Sequence, residues 1–447
     1  MADPLTPRVR RGYALGSVAT GTFGTVPGLL LLPYLTDTVG VGAALAGVIV
    51  FVPKAWDVLL NPVAGRISDR STHPDGRRRP FLLRGGLALA VLFALIFAGP
   101  TAPPALGAAY VVVAFLLCAS AYAFFQVPYV AMPAEMTDDY AERTRLMTWR
   151  VAVLALAILL SGATAPMVVD AFASDAAGYR AMGGYVAVII TVGVVGAWWG
   201  TRDAPQLDLA PPAGTLREQL RLVASAPDFR VLLATFVVQA LGIGAMLAGV
   251  AYVANQLLDS AAAATFLFAA FVGPALLVTP LWERAFTPRA GRRRSKKQGY
   301  VVASLCMVVG ALGLLAARDA LTLVVYPSAA LVGIGYAGAQ VFPMAMLPDC
   351  AAHDARRTGE NRVGVYTGVW TAGETLGLAL GPALFATILA LGGYASSGAD
   401  TDVTQPDSAL TAIAVGFSVV PALLIAASLL LLRRYRLDEE LHRADTP

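Results

Sequence analysis

The sequence predicts an all-α membrane protein with twelve transmembrane helices in two six-helix halves, and three observations support this fold class. The chain has 447 residues, of which 57% are hydrophobic and only 14% are charged, too few charges for a water-soluble globule. It contains twelve apolar stretches, each close to the roughly 20 residues that a helix needs to cross a bilayer. Two sets of motifs also recur along the chain, as expected for a duplicated helical bundle.

The twelve predicted spans follow one another with short connections. They lie near residues 13–36, 41–66, 80–100, 105–131, 147–170, 181–201, 229–256, 261–286, 299–317, 320–346, 362–393 and 408–432. We therefore expect an N-terminal half over 1–201, a cytoplasmic linker over 202–227, and a C-terminal half with a short tail over 228–447. This arrangement leaves no room for a separate soluble domain.

The distribution of arginine and lysine predicts the orientation of the chain. Basic clusters such as Arg8–Arg11, Arg77–Arg79 and Arg292–Lys297 flank alternate ends of the spans, whereas the opposite ends carry only Arg180 and Arg318. Because basic loops are retained in the cytoplasm, both termini are predicted to be cytoplasmic in a multi-pass protein of the cell (plasma) membrane. The net charge of +4 follows from this bias, so we expect no nucleic-acid partner.

Internal repeats support the division into halves. The sequence GRRR at residues 76–79 recurs at 291–294, and residues 126–135 resemble residues 340–349. The two pairs are separated by nearly the same number of residues. A constant offset is typical of a gene duplication rather than of chance basic loops.

Several longer motifs indicate a family. They are YLTDTVG at 34–40, WDVLLNP at 56–62, GRRRPF at 76–81, DYAERTRL at 139–146 and MLPD at 346–349. Together they resemble the glycoside-pentoside-hexuronide:cation symporters, the melibiose permease family of the major facilitator superfamily. The resemblance spans nearly the whole chain. It implies the major facilitator fold and a secondary active transporter of a sugar or glycoside that works by alternating access with H⁺ or Na⁺ coupling.

Three polar residues of the second span form a candidate coupling site. Lys54, Asp57 and Asn61 share one helical face because they are separated by three and four residues. Charged groups at membrane depth are costly unless they face a cavity and have partners. A buried carboxylate could bind Na⁺ or carry a proton. Alternatively, Lys54 and Asp57 form an ion pair that only holds helices together.

The resemblance refines the expected coupling ion. The family has a second acid where this chain has Asn61, and Lys54 adds a positive charge that weakens a sodium site. We therefore expect proton coupling through Asp57, with Na⁺ at Asp57 and Asn61 as the alternative, and no other metal or cofactor. His73, His353 and His442 fall in predicted loops or the tail, so any proton must be carried by a carboxylate.

The resemblance also implies a substrate site in which the sequence departs from the family. The family's sugar-binding acids are replaced by Gly21 and Gln126, while an arginine of the fifth helix is kept. The predicted substrate-binding residues are Gln126, Arg150, Gln340, Trp370 and Glu374. Their alternative roles are hydrogen bonds between helices for the two glutamines and extension towards the cytoplasmic surface for Arg150.

Charged groups beside the basic loops predict gating ion pairs that break when the cytoplasmic side opens. The candidate gating residues are Gly65, Asp69, Arg70, Arg77, Arg78, Glu135, Arg143 and Asp349. The glycine would allow two helices to approach closely. The alternative is that the arginines only set the topology.

Two rival functions remain at the level of sequence. The lost sugar acids and the apolar spans also favour a carrier of lysolipids or other amphiphiles on the same scaffold. A membrane-embedded enzyme or a non-transporting sensor would need a reactive motif or an appended domain, and we find neither, so no enzymatic activity is expected. Cys118, Cys306 and Cys350 lack metal-ligand spacing. We expect a monomer in the lipid bilayer with a small-molecule substrate.

Overall fold

The computed structural model describes residues 5–74, 76–137, 140–205, 226–286, 295–358, 363–398 and 403–437. Over these residues the helices are α1 Pro7–Pro33, α2 Ala43–Asp69, α3 Arg79–Ile96, α4 Pro104–Met136, α5 Tyr140–Asp170, α6 Asp175–Gly200, α7 Pro227–Tyr252, α8 Ala261–Phe286, α9 Lys296–Gly313, α10 Thr322–Thr358, α11 Val363–Leu391, α12 Asp407–Phe417 and α13 Val419–Leu432. Within the described chain, twelve helical segments are long and apolar enough to cross a membrane, which confirms the predicted fold class.

One short irregular break explains why the described residues form thirteen helices but twelve spans. A break at Ser418 separates α12 from α13, which together form the last span. Wider π-type turns extend α1 to Thr38 and α7 to Leu257. Helices α4 and α10 run past their predicted apolar ends to Met136 and Thr358, because a helix can continue into polar surroundings after its apolar segment ends.

The helices form two compact units. Unit 1 comprises Met1–Pro212 together with Ala395–Thr404, and unit 2 comprises Ala213–Tyr394 together with Gln405–Pro447. Most of the predicted linker at 202–227 lies outside the described residues, since 206–225 are not described. The sequence does not predict that a segment following α11 belongs to unit 1. There, the Ser397 amide donates to the Thr36 carbonyl at 3.0 Å and the Ser396 hydroxyl donates to the Val41 carbonyl at 2.9 Å.

In unit 1, helix α1 packs along α5 and α6, and α4 packs along α2 and α3. Small residues allow the close crossings. A Cβ added to Gly12 of α1 would lie 2.5 Å from the Cα of Gly200 in α6, so a larger residue at this point would force the helices apart.

Unit 2 repeats this pattern of neighbours. Helix α7 packs along α11 and α13, and α10 packs along α8 and α9. A Cβ added to Gly244 of α7 would lie 2.7 Å from the Leu378 carbonyl oxygen of α11, so the same type of close crossing recurs. This packing positions the polar side chains of α2, α4 and α5 in unit 1 and those of α10 and α11 in unit 2.

Candidate functional site

The polar face of α2 lies inside unit 1. The Asp57 side chain is only 4% exposed, and its Oδ1 atom has no hydrogen-bond partner among the described residues. The Oδ1 atom of Asn61, one helical turn later, is also buried without a partner. Because a buried oxygen without a hydrogen bond costs about 1–3 kcal/mol, these two atoms form a candidate site for a proton or a cation.

Lys54 contacts an aromatic ring rather than a carboxylate. Its ammonium nitrogen lies 4.7 Å from the centre of the Phe23 ring of α1, and that ring stacks on Tyr122 of α4 at 4.2 Å. Among the described residues, no ion pair joins Lys54 to Asp57. The cation–π contact therefore replaces the structural ion pair that the spacing of the two residues allowed.

One face of α4 presents two tyrosines and a glutamine close to the polar face of α2. Tyr122, Gln126 and Tyr129 are separated by four and three positions and so lie on the same side of the helix. Tyr122 is within electrostatic range of both Asp57 and Arg150, and it thus links the α2 face to α5. The Oε1 atom of Gln126 is buried and has no partner in the described chain.

Arg150 of α5 lies over an anchored tyrosine. Its guanidinium carbon is 5.7 Å from the centre of the Tyr129 ring. The Tyr129 hydroxyl donates to the Tyr13 carbonyl at 2.8 Å and is 2.9 Å from the Ser17 hydroxyl, and the Tyr13 and Tyr129 rings stack at 4.8 Å. The Nε atom of Arg150 is buried, and within the described residues neither it nor the Tyr13 hydroxyl has a hydrogen-bond partner. Arg150 therefore points into unit 1 instead of extending to the surface.

Unit 2 holds a second polar group on the corresponding helices. The Gln340 side chain donates to the Tyr336 hydroxyl at 2.7 Å on α10. Glu374 of α11 interacts with both residues. With Phe236 and Met307 among its neighbours, this group borders a small crevice. The predicted substrate residues Gln340 and Glu374 are thus brought together.

Trp370 packs one turn before Glu374. Its side chain is 1% exposed, and its ring lies 4.3 Å from that of Phe236 in α7. The indole Nε1 atom has no hydrogen-bond partner in the described part of the chain. In the same unit, Gln239 donates to the hydroxyls of Ser304 and Ser428 at 2.9 Å each, and so connects α7 to α9 and α13.

Ion pairs lie at the C-terminal ends of α4 and α10, beside the residues that begin α3 and α9. The Arg78 guanidinium donates to Glu135 at 2.8 Å and to the Ser68 hydroxyl at 2.6 Å, which joins α2, α3 and α4. In unit 2, the Lys296 ammonium lies 2.5 Å from Asp349, the residue that corresponds to Glu135. The second GRRR sequence at 291–294 lies outside the described residues.

The other predicted gating residues are distributed around the first pair. Arg77 borders the same loop crevice as Arg78, and Arg70 is exposed at the end of α2. The side chains of Asp69 and Arg143 lie outside the described set. A Cβ on Gly65 would make an ordinary 3.5 Å contact with Val127, so the expected close helix approach does not occur there.

Residues 12–439 match the family model described as MFS/sugar transport protein. The chain belongs to this family. It is therefore a major facilitator and a multi-pass membrane transporter, as the motifs predicted.

Curated relatives of this facilitator carry symporter names. A candidate glycoside/cation symporter, YagG of Escherichia coli (strain K12), is 26% identical over 97% of this chain and 93% of its own. The isoprimeverose transporter of Lactiplantibacillus pentosus is 22% identical over 96% and 88%. The sodium-dependent lysophosphatidylcholine symporter 1 of Mus musculus is 24% identical over 96% and 86%.

Solved structures support the facilitator fold. A structure from a study of substrate recognition in proton dependent oligopeptide transporters superimposes with a TM-score of 0.67 over 97% of this chain and 98% of that chain. The identity is 14%, so the similarity concerns the fold alone.

Sequence reasoning missed several residues of this facilitator's two polar groups. Phe23, Tyr13 and Ser17 belong to the part of α1 that follows Arg11, where no charged residue draws attention to the helix. Tyr122 and Tyr336 could have been found, because each precedes a glutamine by four residues within the two repeated segments. Lys296 was also missed. It lies just beyond the second GRRR sequence, and the gating prediction was based on the arginines.

Proposed function

We propose that this transporter is a proton-coupled symporter of a sugar or glycoside in the cell membrane. Asp57 would carry the coupling proton, and the protein would act as a monomer with both termini in the cytoplasm. One observation carries the proposal: Asp57 is a buried carboxylate with an unsatisfied oxygen, and no described residue forms an ion pair with it. Such a group is costly as an isolated anion, so a proton that binds and leaves during the cycle would relieve the cost.

The neighbours of Asp57 favour a proton over Na⁺. A sodium ion needs several oxygen ligands, and among the described residues only Asn61 adds an unsatisfied oxygen on the same face. Lys54 contributes a positive charge within electrostatic range of Asp57, which opposes a second cation. Protonation needs no extra ligands, so it tolerates this environment better.

The substrate class is supported by the family and by the chemistry of the polar groups. The family model is described as a sugar transport protein, and two of the relatives are named for a glycoside and for isoprimeverose. Gln126, Gln340 and Glu374 offer amide and carboxylate groups of the kind that bind hydroxyls. The Trp370 and Tyr129 rings are buried in this structure, so they would pack against a sugar ring only in another state of the transport cycle.

A lysolipid carrier is the second candidate. The mouse relative is named as a sodium-dependent lysophosphatidylcholine symporter and covers nearly the whole chain. That relative's name also couples a lipid substrate to sodium. A carrier of that kind would therefore respond to lysophospholipids and Na⁺ rather than to glycosides and a pH gradient.

Uptake by purified protein in liposomes tests the proposal. We expect a panel of radiolabelled glycosides to identify one that accumulates under an inward proton gradient without Na⁺. Asp57→Asn should abolish this accumulation but keep exchange of internal for external substrate, and Asp57→Glu should retain part of the accumulation. Strict dependence on Na⁺, or gradient-driven accumulation by Asp57→Asn, would contradict proton coupling at Asp57.

A further inference from the structure

The interior of unit 2 contains a carboxylate that, among the described residues, has no cationic partner. Within the six spans of unit 2 that the structure describes, Glu374 is the one charged residue more than a helical turn from a span end. None of the ion pairs between described residues includes it. The groups that interact with it, Gln340 and Tyr336, are neutral. An ionised carboxylate at this depth is costly until a positive group joins it.

Gln239 supplies a second acceptor on the same crevice, and the orientation of its amide is fixed. Its nitrogen donates at 2.9 Å to the hydroxyls of Ser304 and Ser428. Those two hydroxyls donate to backbone carbonyls at 2.8 Å and 2.7 Å, so they can only accept from Gln239. The amide oxygen therefore cannot exchange places with the nitrogen, and it is buried with no partner among the described residues. Gln239 and Glu374 both line the crevice.

We propose that this crevice binds the ammonium group of an amino sugar, with Glu374 and Gln239 as the acceptors. This inference rests on the proposed function, since it names the chemical class of that same substrate. An ammonium group has three N–H donors and no acceptor, so it matches a wall that offers a carboxylate and an amide oxygen. A sugar hydroxyl has a single proton to donate, and it leaves the charge of the carboxylate uncompensated.

The other walls of the crevice suit a small cation. Phe236 and Tyr336 line it, and an aromatic ring attracts a cation to its face. Both rings are held in place, because Phe236 packs against Trp370 at 4.3 Å and Tyr336 packs against Phe271 at 5.3 Å. The crevice is small, so it admits an amino group and leaves the sugar ring outside.

The carboxylate of unit 1 is a poorer partner for a cationic group. Lys54 lies within electrostatic range of Asp57, and Arg150 also lies in the interior of unit 1. Two positive charges there repel an ammonium group. The described spans of unit 2 carry no cation at the depth of Glu374. We therefore expect the ammonium group at Glu374 and the coupling proton at Asp57.

Thermal stabilisation of the purified full-length protein tests the inference, because a ligand that binds only the folded state raises the unfolding temperature. The matched probes replace one hydroxyl by an amine: D-glucosamine and 6-amino-6-deoxy-D-glucose against D-glucose, and D-galactosamine against D-galactose. At pH 6 these amines are protonated, since such groups have pKa values of about 8. We expect an amino sugar to reach half-maximal stabilisation at a concentration at least about tenfold lower than its hydroxyl partner. N-acetyl-D-glucosamine, whose nitrogen is neutral, should bind no better than D-glucose.

Variants locate the effect. Glu374→Gln should reduce the preference for the amine to less than about twofold, and Glu374→Asp should keep part of it. Asp57→Asn is the matched comparison, because it removes the other interior carboxylate, and it should keep the full preference. Equal binding of amino sugars and their partners, no shift with any amino sugar, or an unchanged preference in Glu374→Gln would overturn the inference. So would a preference that is lost in Asp57→Asn.

Cyclohexylamine and cyclohexanol separate this inference from the proposed function, because they present an amine or a hydroxyl on a ring without other polar groups. A response to cyclohexylamine as strong as that to the amino sugars, and lost in Glu374→Gln, keeps the ammonium site but contradicts the sugar assignment. A response to D-glucose or D-galactose at least equal to that of the amino sugar keeps the sugar assignment and contradicts the ammonium site. Stabilisation by Na⁺ that requires Glu374, without any preference for amines, also contradicts the ammonium site.

Discussion

Residues 122–135 of α4 and 336–349 of α10 are two copies of one segment, and they differ in what their side chains do. Each copy begins with a tyrosine followed four residues later by a glutamine, Tyr122 with Gln126 and Tyr336 with Gln340. In unit 2 the pair forms a 2.7 Å hydrogen bond. In unit 1, Tyr122 instead stacks on Phe23, and the Gln126 oxygen has no partner in the described chain.

The difference separates a hydrogen-bonded tyrosine and glutamine from an unbonded pair. In unit 2, Gln340 bonds Tyr336 and Glu374 interacts with Gln340. In unit 1, Asp57, Asn61 and Gln126 have oxygens without partners among the described residues, and two cations lie over aromatic rings. Stability alone gives no reason to retain such groups, since each buried unsatisfied atom costs about 1–3 kcal/mol. The unit 1 copy is therefore the one that we assign to ligand binding and coupling.

The far ends of the two copies are more alike. Both end in an acid that binds a base, Glu135 with Arg78 and Asp349 with Lys296. The unit 1 pair is more deeply buried, with side chains 9% and 14% exposed, against 39% and 25% for the unit 2 pair.

The largest expected effect concerns these end pairs. Glu135→Ala should destabilise the folded protein by about 3–5 kcal/mol, because Arg78 would remain buried without its carboxylate. Asp349→Ala should cost about 1 kcal/mol or less, since Lys296 can reach water. Thermal unfolding in detergent measures both. Equal losses for the two variants would show that the two ends contribute alike.

The second-largest expected effect is on transport, and it distinguishes the carboxylate of Asp57 from that of Glu374. Asp57→Asn should abolish accumulation under a proton gradient, so that internal and external substrate reach equal concentrations, because an amide side chain cannot carry the coupling proton. Glu374→Gln should change substrate affinity while the ratio of internal to external substrate stays close to the wild-type value at saturating substrate. A variant at Glu374 that loses accumulation while Asp57→Asn keeps it would reverse the assignment of coupling to unit 1.

A third substitution adds the acid that unit 1 lacks. Asn61→Asp places a second carboxylate one turn from Asp57, so it should introduce a stimulation of uptake by Na⁺ of up to about tenfold, a free-energy change near 1.4 kcal/mol. Asn61→Ser serves as the control, since it offers an oxygen without a charge. Stimulation by Na⁺ in the wild-type protein as strong as in Asn61→Asp would contradict the view that the missing charge weakens a sodium site.

The smallest expected effect is on stability, and it comes from removing the hydroxyl of Tyr336 or of Tyr122. Tyr336→Phe removes the acceptor of the Gln340 hydrogen bond and should destabilise unit 2 by about 1 kcal/mol. Tyr122→Phe keeps the ring that stacks on Phe23 and should change stability by a few tenths of a kcal/mol at most. Thermal unfolding of the two variants under one condition makes the comparison, and a larger loss for Tyr122→Phe would contradict it.

Hydropathy was enough to predict the twelve spans, because the bilayer fixes both the length and the composition of a crossing helix. Helical periodicity likewise placed Lys54, Asp57 and Asn61 on one face. It could not predict that Lys54 would lie over Phe23, because that contact depends on how α1 packs against α2. Spacing along one helix defines which residues share a face, whereas the neighbouring helix decides which partner each side chain takes.

The substrate-binding residues were predicted less completely for the same reason. Gln340 and Glu374 meet as expected, but within α1 the resemblance to known symporters drew attention to Gly21 and not to Tyr13 or Ser17. Tyr13 and Ser17 hold Tyr129 beneath Arg150 through contacts between distant parts of the chain. Such contacts leave no periodic pattern in the sequence. The repeated tyrosine and glutamine were visible, but only the structure distinguishes the bonded pair from the unbonded one.

The most direct test of coupling in unit 1 is the number of protons taken up when substrate binds. It can be measured with a pH electrode in weakly buffered detergent solution. At a pH where Asp57 is ionised, the wild-type protein and Glu374→Gln should each take up close to one proton per bound substrate, and Asp57→Asn should take up none. Uptake by Asp57→Asn equal to that of the wild type would contradict the account.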